Sequence, residues 1–236
     1  MADLRSRLRA GLRGVLPTPR RNPFALGYLA LLLGTTLFAR FGDQAVVDRL
    51  QGYSSSDAHN LLDHPIGSLL LSGTWVAGPV WMPYFWAFAV TVAPLERRVG
   101  GRRAAAVFAA GHVLATLLSQ AVVLAAVAAG RLDAAALDGL DIGVSYGVLA
   151  SLGALAGLFA PPGRLCALGG AAALIGRQLL DDTDLVTGIG HPVALLVGIA
   201  LWPWLRRATP YVVTPGARGT ARRGTARAAT GSRAPI

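Results

Sequence analysis

One stretch of the chain, residues 96–129, decides the fold class; it reads ERRVGGRRAAAVFAAGHVLATLLSQAVVLAAVAA. Four arginines lead into an apolar run, 104–129, that contains few polar side chains. A membrane helix needs about 20 mostly apolar residues to cross about 30 Å of hydrocarbon. The stretch therefore predicts a transmembrane helix with a positively charged end, and with it an all-α membrane protein.

The composition of the whole chain agrees with this prediction. Of 236 residues, 53% are hydrophobic and 14% are charged, with a mean hydropathy of +0.51, whereas about a quarter of the residues in a soluble domain are charged. The net charge of +10 would suggest a nucleic-acid partner in a soluble protein. Here all 22 basic residues are arginines that flank apolar runs, so we expect a lipid bilayer as the partner and no nucleic acid. The single cysteine, Cys166, excludes a disulfide framework and is expected to be a small buried packing residue.

Six apolar runs are candidate spans, and the first is interpreted as a retained signal anchor because no cleavage site follows it. The runs are residues 24–39, 76–95, 104–129, 142–160, 165–180 and 185–205. The apolar stretch 66–75 is too short to span and is expected to lie in the membrane interface or to re-enter.

The charges between these runs predict their orientation. The connecting segments alternate strictly between net positive and net negative, and 18 of the 22 arginines fall on one side. Because positively charged loops stay in the cytoplasm, we expect six transmembrane helices with both termini cytoplasmic. The predicted organisation is a basic cytoplasmic segment (1–22), a membrane domain (23–206) and an Arg-rich tail (207–236). The tail has too few large apolar residues to form a core and is expected to be disordered.

Two polar residues of the predicted spans lie at similar depth. Ser145 follows Asp141 by four residues, and His191 follows Asp184 by seven, in two spans that both run inward from the outer side. The residues around them are small and at helical spacing, which lets helices approach closely; they are Gly143, Gly147, Gly153 and Gly157 in one span and Gly188, Gly190, Ala194 and Gly198 in the other.

A serine and a histidine on closely packed helices can form the hydrogen bond that activates a hydroxyl nucleophile. Ser145 also lies near the start of its helix, where free amides can stabilise an oxyanion. The alternative is structural: membrane serines commonly bond to a carbonyl one turn earlier, and a histidine near a helix end commonly packs or lies at the interface. Other polar residues of the spans, His112, Gln120 and Arg177, are more typical of helix–helix hydrogen bonds or of side chains that reach the surface.

Three segments resemble motifs of the rhomboid family of intramembrane serine proteases, in a divergent branch from high-GC bacteria. They are Leu95-Glu96-Arg97-Arg98-Val99-Gly100, Gly143-Val144-Ser145 with the small residues up to Gly153, and Gly190-His191 with Ala194 and Gly198. The resemblance covers about residues 23–206. It implies a six-helix bundle in a bacterial plasma membrane and a transmembrane-segment substrate, without a cofactor or metal.

In the site that this resemblance implies, Ser145 is the nucleophile and His191 is the general base. The backbone of Val144 and Ser145 would hold the oxyanion, while Glu96 would belong to a structural network with its neighbouring arginines.

The chain departs from the family pattern at two places. Tyr146 directly follows the serine where the family usually has glycine, with Gly147 one position later. Val80 and Tyr84 stand near the positions where the second helix usually carries a histidine and an asparagine. These departures motivate an alternative, a catalytically inactive rhomboid-like protein that binds transmembrane helices or a client protein. A small transporter is disfavoured because the chain lacks paired halves with matching broken spans.

Overall fold

The computed structural model describes residues 16–78, 80–181 and 184–208, and all of its regular secondary structure is helical. The helices are α1 (Pro23–Phe41), α2 (Gln44–Ser54), α3 (Ala58–Asp63), α4 (Pro65–Leu71), α5 (Met82–Val90), α6 (Val92–Val99), α7 (Gly101–Ala128), α8 (Ser145–Ala156), α9 (Pro161–Asp181), α10 (Leu185–Ala200) and α11 (Trp202–Ala208). Within the described residues, three helical stretches are long and apolar enough to cross a membrane; these are Pro23–Phe41, Gly101–Ala128 and Leu185–Arg207, the last of which combines α10 with most of α11. Most of the predicted basic N-terminal segment (1–15) and of the predicted tail (209–236) lies outside the described residues.

The second and fourth predicted spans are shorter as helices than their apolar runs. In the second run, the helix begins only at Met82 and is interrupted at Thr91. Pro94 explains the interruption, because proline lacks the N–H that would bond to the Val90 carbonyl and its ring crowds that carbonyl. The fourth run contributes α8, which has only 12 residues. The fifth run is longer than predicted, since α9 begins at Pro161, a residue type that suits the first helical turn.

The apolar stretch 66–75 forms most of α4 and a 3₁₀ turn, Ser72–Thr74. Ile66 and Leu70 on α4 are 75% and 69% exposed, while Ser68 is buried and its hydroxyl donates to the carbonyls of Asn60 and His64. The stretch is therefore a short helix with an apolar outer face.

Helices α7, α8 and α10 pack on one another and form the centre of the bundle. A Cβ atom at Gly198 of α10 would overlap the carbonyl oxygen of Ala150 in α8, and one at Gly153 of α8 would overlap that of Leu195 in α10. A Cβ at Gly111 of α7 would overlap the Ala150 side chain. The prediction that small residues bring α8 and α10 into close contact is confirmed.

Glu96 in α6 holds the start of α1. Its Oε1 accepts a hydrogen bond from the Phe24 amide at 2.8 Å, and its Oε2 accepts one from the Ala25 amide at 3.0 Å. A carboxylate at this place satisfies free amides and opposes the positive end of the helix dipole. The neighbouring Arg97 guanidinium donates to the Asn22 side chain at 3.1 Å, so Glu96 and Arg97 both hold the chain at the start of α1.

Cys166 on α9 is exposed, so the prediction that it is a small buried packing residue is wrong. An apolar run in a membrane protein contains lipid-facing positions as well as core positions, and the run alone does not separate the two.

Candidate functional site

Gly143 shapes the entry to α8. Its φ of 144° lies where side chains are rarely tolerated, and its amide donates to the Ser72 carbonyl at 2.9 Å. Val144 follows as the fully buried N-cap residue, and Ser145 is the first residue of the helix. The glycine thus allows the chain to turn inward so that α8 begins at Ser145.

Ser145 and His191 line one cavity of about 200 Å³. The cavity lies above the start of α8, and its walls also include Tyr84, His112 and Gln178. His191 is 8% exposed. Within residues 16–78, 80–181 and 184–208, the Ser145 hydroxyl forms no hydrogen bond, so the two residues line a common space without a hydrogen bond between them.

The His191 ring forms a hydrogen bond through its Nδ1 atom. Nδ1 lies 2.7 Å from Oε1 of Gln178 on α9. With Oε1 of the amide facing the ring, the glutamine accepts, and the matching tautomer has its proton on Nδ1 and a lone pair on Nε2. No described residue bonds to Nε2.

Tyr146 fills the space between α8 and α10. Its ring meets the His191 ring edge to face at a centroid distance of 5.5 Å, and its hydroxyl donates to the Val186 carbonyl at 3.2 Å. The glycine at position 190 makes room for this ring, since a Cβ there would overlap the Tyr146 side chain. The residue that departs from the family pattern is therefore a packing partner of the histidine and of the preceding glycine.

The amides at the start of α8 are available. In the part of the chain that the structure describes, the N–H groups of Val144 and Ser145 have no acceptor. They lie at the positive end of the helix, where backbone donors can stabilise a negative oxygen. They lie next to the Ser145 hydroxyl, where such donors suit the carbonyl oxygen of a group that this hydroxyl attacks.

A wider groove of about 790 Å³ reaches the same two residues from the side. Pro83, Tyr84 and Ala87 on α5 form one wall, and α9 forms the other with residues from Leu174 to Asp181. Tyr84 donates its hydroxyl hydrogen bond to the Ala77 carbonyl at 3.0 Å. Val80 is 54% exposed and does not line the cavity.

A polar cluster covers the cavity on the side of the α7–α8 connection. The Asp141 carboxylate accepts hydrogen bonds from Gln120 at 2.9 Å and from the Ser56 hydroxyl at 3.2 Å, and its amide donates to the Ser55 hydroxyl at 2.9 Å. Burial raises the pKa of Asp141 to about 6. Gln120 therefore bonds to a connecting segment and not to another helix.

His112 on α7 also reaches the cavity wall. Its Nε2 lies 3.1 Å from both the Ser72 hydroxyl and the Leu69 carbonyl. The histidine thus joins α7 to the segment containing α4, in agreement with the prediction of helix–helix bonding. Across the described ranges, no group of three His, Cys, Asp or Glu residues could hold a metal.

Gln178 is the site residue that the sequence analysis missed. It follows Arg177 near the end of the fifth apolar run, and nothing in its spacing marks it as a neighbour of His191. The available signal was an uncharged polar side chain within a membrane run, which needs a hydrogen-bond partner. Arg177 points elsewhere: it pairs with Asp181 at 3.1 Å, and both side chains are largely exposed.

Comparison with known protein families identifies a match for most of the chain. A family model described as rhomboid-like protein matches residues 19–210, a stretch that includes Ser145, Gln178 and His191. No curated protein and no solved structure matches the chain. The matched stretch begins before α1 and ends after α11, so it contains every helix described above.

Proposed function

Because the chain belongs to the rhomboid-like family, we propose that this membrane protein is an intramembrane serine endopeptidase with Ser145 as nucleophile and His191 as general base. The observation that carries the proposal is that Ser145 at the start of α8 and His191 on α10 line one cavity. The tight α8–α10 contact through Gly153 and Gly198 supports it, since that contact fixes the two backbones relative to each other.

The proposed arrangement in a bacterial plasma membrane has six crossings and two cytoplasmic termini. The crossings are α1, α5 with α6, α7, α8, α9, and α10 with α11. Alternating loop charge supports this orientation. At about 1.5 Å per residue, the 12 residues of α8 cover about 18 Å, which is less than the roughly 30 Å of hydrocarbon. In this arrangement Ser145, at the start of α8, lies below the membrane surface and is reached through the cavity.

The proposed reaction is hydrolysis of a peptide bond in or beside a transmembrane segment. The Ser145 Oγ attacks the scissile carbonyl carbon while His191 Nε2 accepts the hydroxyl proton. The carbonyl oxygen becomes an oxyanion, and the amides of Val144 and Ser145 donate to it. When the C–N bond breaks, His191 returns the proton to the leaving amine, and water activated by the same imidazole hydrolyses the ester of Ser145.

The lateral groove between α5 and α9 supports a membrane-embedded substrate. An extended or unwound segment can enter from the lipid between these helices and meet Ser145 and His191 at the base of the groove. Its apolar walls, which include Ala87, Leu174 and Ile175, suit apolar side chains. A glycine or another helix breaker in the substrate would ease the unwinding that exposes a carbonyl.

A second candidate function is non-catalytic binding of transmembrane helices. It is favoured by two observations. No hydrogen bond joins Ser145 and His191 among the described residues, and Val80 and Tyr84 stand near the places of the usual second-helix polar pair. In that case the groove would hold a client helix without cutting it. We prefer the proteolytic function because Ser145, with its hydroxyl and its unbonded amide, lines the same cavity as the His191 imidazole.

Cleavage of a transmembrane substrate by the purified protein separates these functions. We expect Ser145→Ala to reduce the rate by at least about 10³-fold, as loss of an activated serine does elsewhere. The matched control is Ser151→Ala on the same helix, because the Ser151 hydroxyl only donates to the Gly147 carbonyl at 2.8 Å. Equal cleavage by wild type and Ser145→Ala would remove Ser145 as nucleophile. Substrate binding without any serine-dependent reaction would favour the non-catalytic function.

A further inference from the structure

We propose that Gln178 is the positioning residue of this site: it holds the Nδ1–H of His191 and so keeps Nε2 unprotonated as the base for Ser145. The inference rests on the proposed function and adds a third member to the serine and histidine. It assigns to α9 a part in the chemistry, in addition to its place as one wall of the groove.

The hydrogen bond between His191 and Gln178 is short, and the amide oxygen is the atom that faces the ring. Nδ1 and Oε1 are 2.7 Å apart, at the short end of the range for N–H···O bonds. Because the histidine is 8% exposed, water competes little for this nitrogen. The bond that one ring nitrogen makes sets which tautomer is present, and here it selects the tautomer that a serine nucleophile needs.

The surroundings leave this task to Gln178. On α8, the Tyr146 ring packs on the histidine in a T-shaped arrangement. At the start of α10, Asp184 accepts from the amides of Val186 and Thr187 and lines a small pocket with Gln178 and His191. On α9, Arg177 and Asp181 pair with each other.

The groups that face the histidine from farther away are Tyr84 on α5, His112 on α7 and Asp141. Among the described residues, the His191 ring forms its hydrogen bond with Gln178. A neutral amide orients the ring without a buried negative charge, which would be costly at this depth. During the reaction the bond becomes charge-assisted, because the ring gains a proton when Ser145 attacks.

Two substitutions at Gln178 test the proposal, with cleavage rates measured across pH. Gln178→Leu removes the acceptor; we expect kcat to fall about 10- to 100-fold, the range for loss of a hydrogen bond to a charged group, with KM nearly unchanged. Gln178→Glu keeps an acceptor and adds a charge that favours the imidazolium, so activity returns and the acidic limb of the pH profile moves up by about one unit. Gln51→Leu on α2 is the matched control, since Gln51 lies outside the cavity of Ser145 and His191.

Nitrogen NMR of histidine-labelled protein provides a readout that does not depend on activity. With His191 assigned by comparison with a His191→Asn variant, we expect a single tautomer protonated at Nδ1 in wild type and a mixture of tautomers in Gln178→Leu. A purely structural role for Gln178 would change the melting temperature and leave the tautomer and the pH profile as they are.

The outcomes separate the two proposals. If wild type cleaves in a Ser145-dependent way, and Gln178→Leu matches it in kcat, pH profile and tautomer, the role of Gln178 is overturned while the proteolytic function stands. If Ser145→Ala cleaves as well as wild type, the proteolytic function fails, and the NMR result alone decides whether Gln178 selects the tautomer.

Discussion

The α8–α10 interface and the α5–α9 flank lie on either side of the same two polar residues, and they are built in opposite ways. At the interface, the backbones touch at Gly153 and Gly198 with no room for a Cβ. At the flank, a groove of about 790 Å³ separates the two helices. Gly176 on α9 has no atom near the place where a Cβ would be.

This difference teaches how one bundle can hold a precise site and still be open to a large partner. Close packing of small residues restricts relative motion of α8 and α10, so the hydroxyl and the imidazole keep their places. The flank contributes fewer close contacts and can change without disturbing them. Substitutions at the interface should therefore act on stability, and substitutions at the flank should act on access.

The largest expected effect is that of Gly198→Val at the interface. The new side chain would overlap the Ala150 carbonyl, and a backbone cannot yield as a flexible side chain can. Overpacking costs about 1–3 kcal/mol and occasionally more, and we expect the upper end or loss of the fold. Thermal unfolding in detergent measures this.

The matched control for this substitution is Gly176→Val on α9, which we expect to stay within about 0.5 kcal/mol of wild type. A wild-type melting temperature for Gly198→Val would break the distinction between interface and flank.

A smaller effect on stability is expected from Asp141, in the polar cluster that covers the cavity. The folded pKa of Asp141 is about 6 against an ordinary 3.8, so the folded protein binds this proton more tightly than the unfolded chain. The contribution of Asp141 to stability is therefore most favourable below about pH 4 and is lost as pH rises through 6, by at most about 3 kcal/mol.

Asp141→Asn should remove this part of the pH dependence. Melting temperatures of both proteins from pH 4 to pH 7 test it, with the difference between the two curves as the readout. The difference in melting temperature between the two proteins should change as pH rises through 6 and level off towards pH 7. A constant difference would mean that Asp141 is ionised throughout and that the cluster does not bury it as described.

The smallest effect on stability is expected at the flank. Ala87→Phe on α5 would narrow the groove, and we expect KM for a transmembrane substrate to rise several-fold while the melting temperature stays close to that of wild type. Ala172→Phe, at an exposed position of α9 outside the groove, is the control. Unchanged KM in Ala87→Phe would exclude the groove as the route of entry.

The sequence was sufficient for the features that repeat at helical spacing. Four-residue spacing of Gly153 with Gly157 and of Ala194 with Gly198 predicted the contact of α8 and α10, and backbone proximity confirms it. The contact could be predicted because small residues act through their size, which the residue type alone determines. The membrane class followed from composition for the same reason.

Features that depend on which side of a helix faces the protein were not visible in this way. Cys166 lies in an apolar run but is exposed, since lipid-facing and core positions have the same composition. Gln178 and His191 are 13 residues apart, and their contact depends on how α9 packs against α10. The partner of Glu96 was missed because it is the backbone of α1, which no side-chain pattern reveals.

The central claim is that the hydroxyl of Ser145 is activated by His191, and labelling with a fluorophosphonate tests it most directly. The purified wild-type protein should be labelled at Ser145, as located by mass spectrometry. Labelling should be absent in Ser145→Ala, strongly reduced in His191→Asn and unchanged in Ser151→Ala. A folded wild-type protein that takes no label at Ser145, or a Ser145→Ala protein that is labelled equally, would contradict the account.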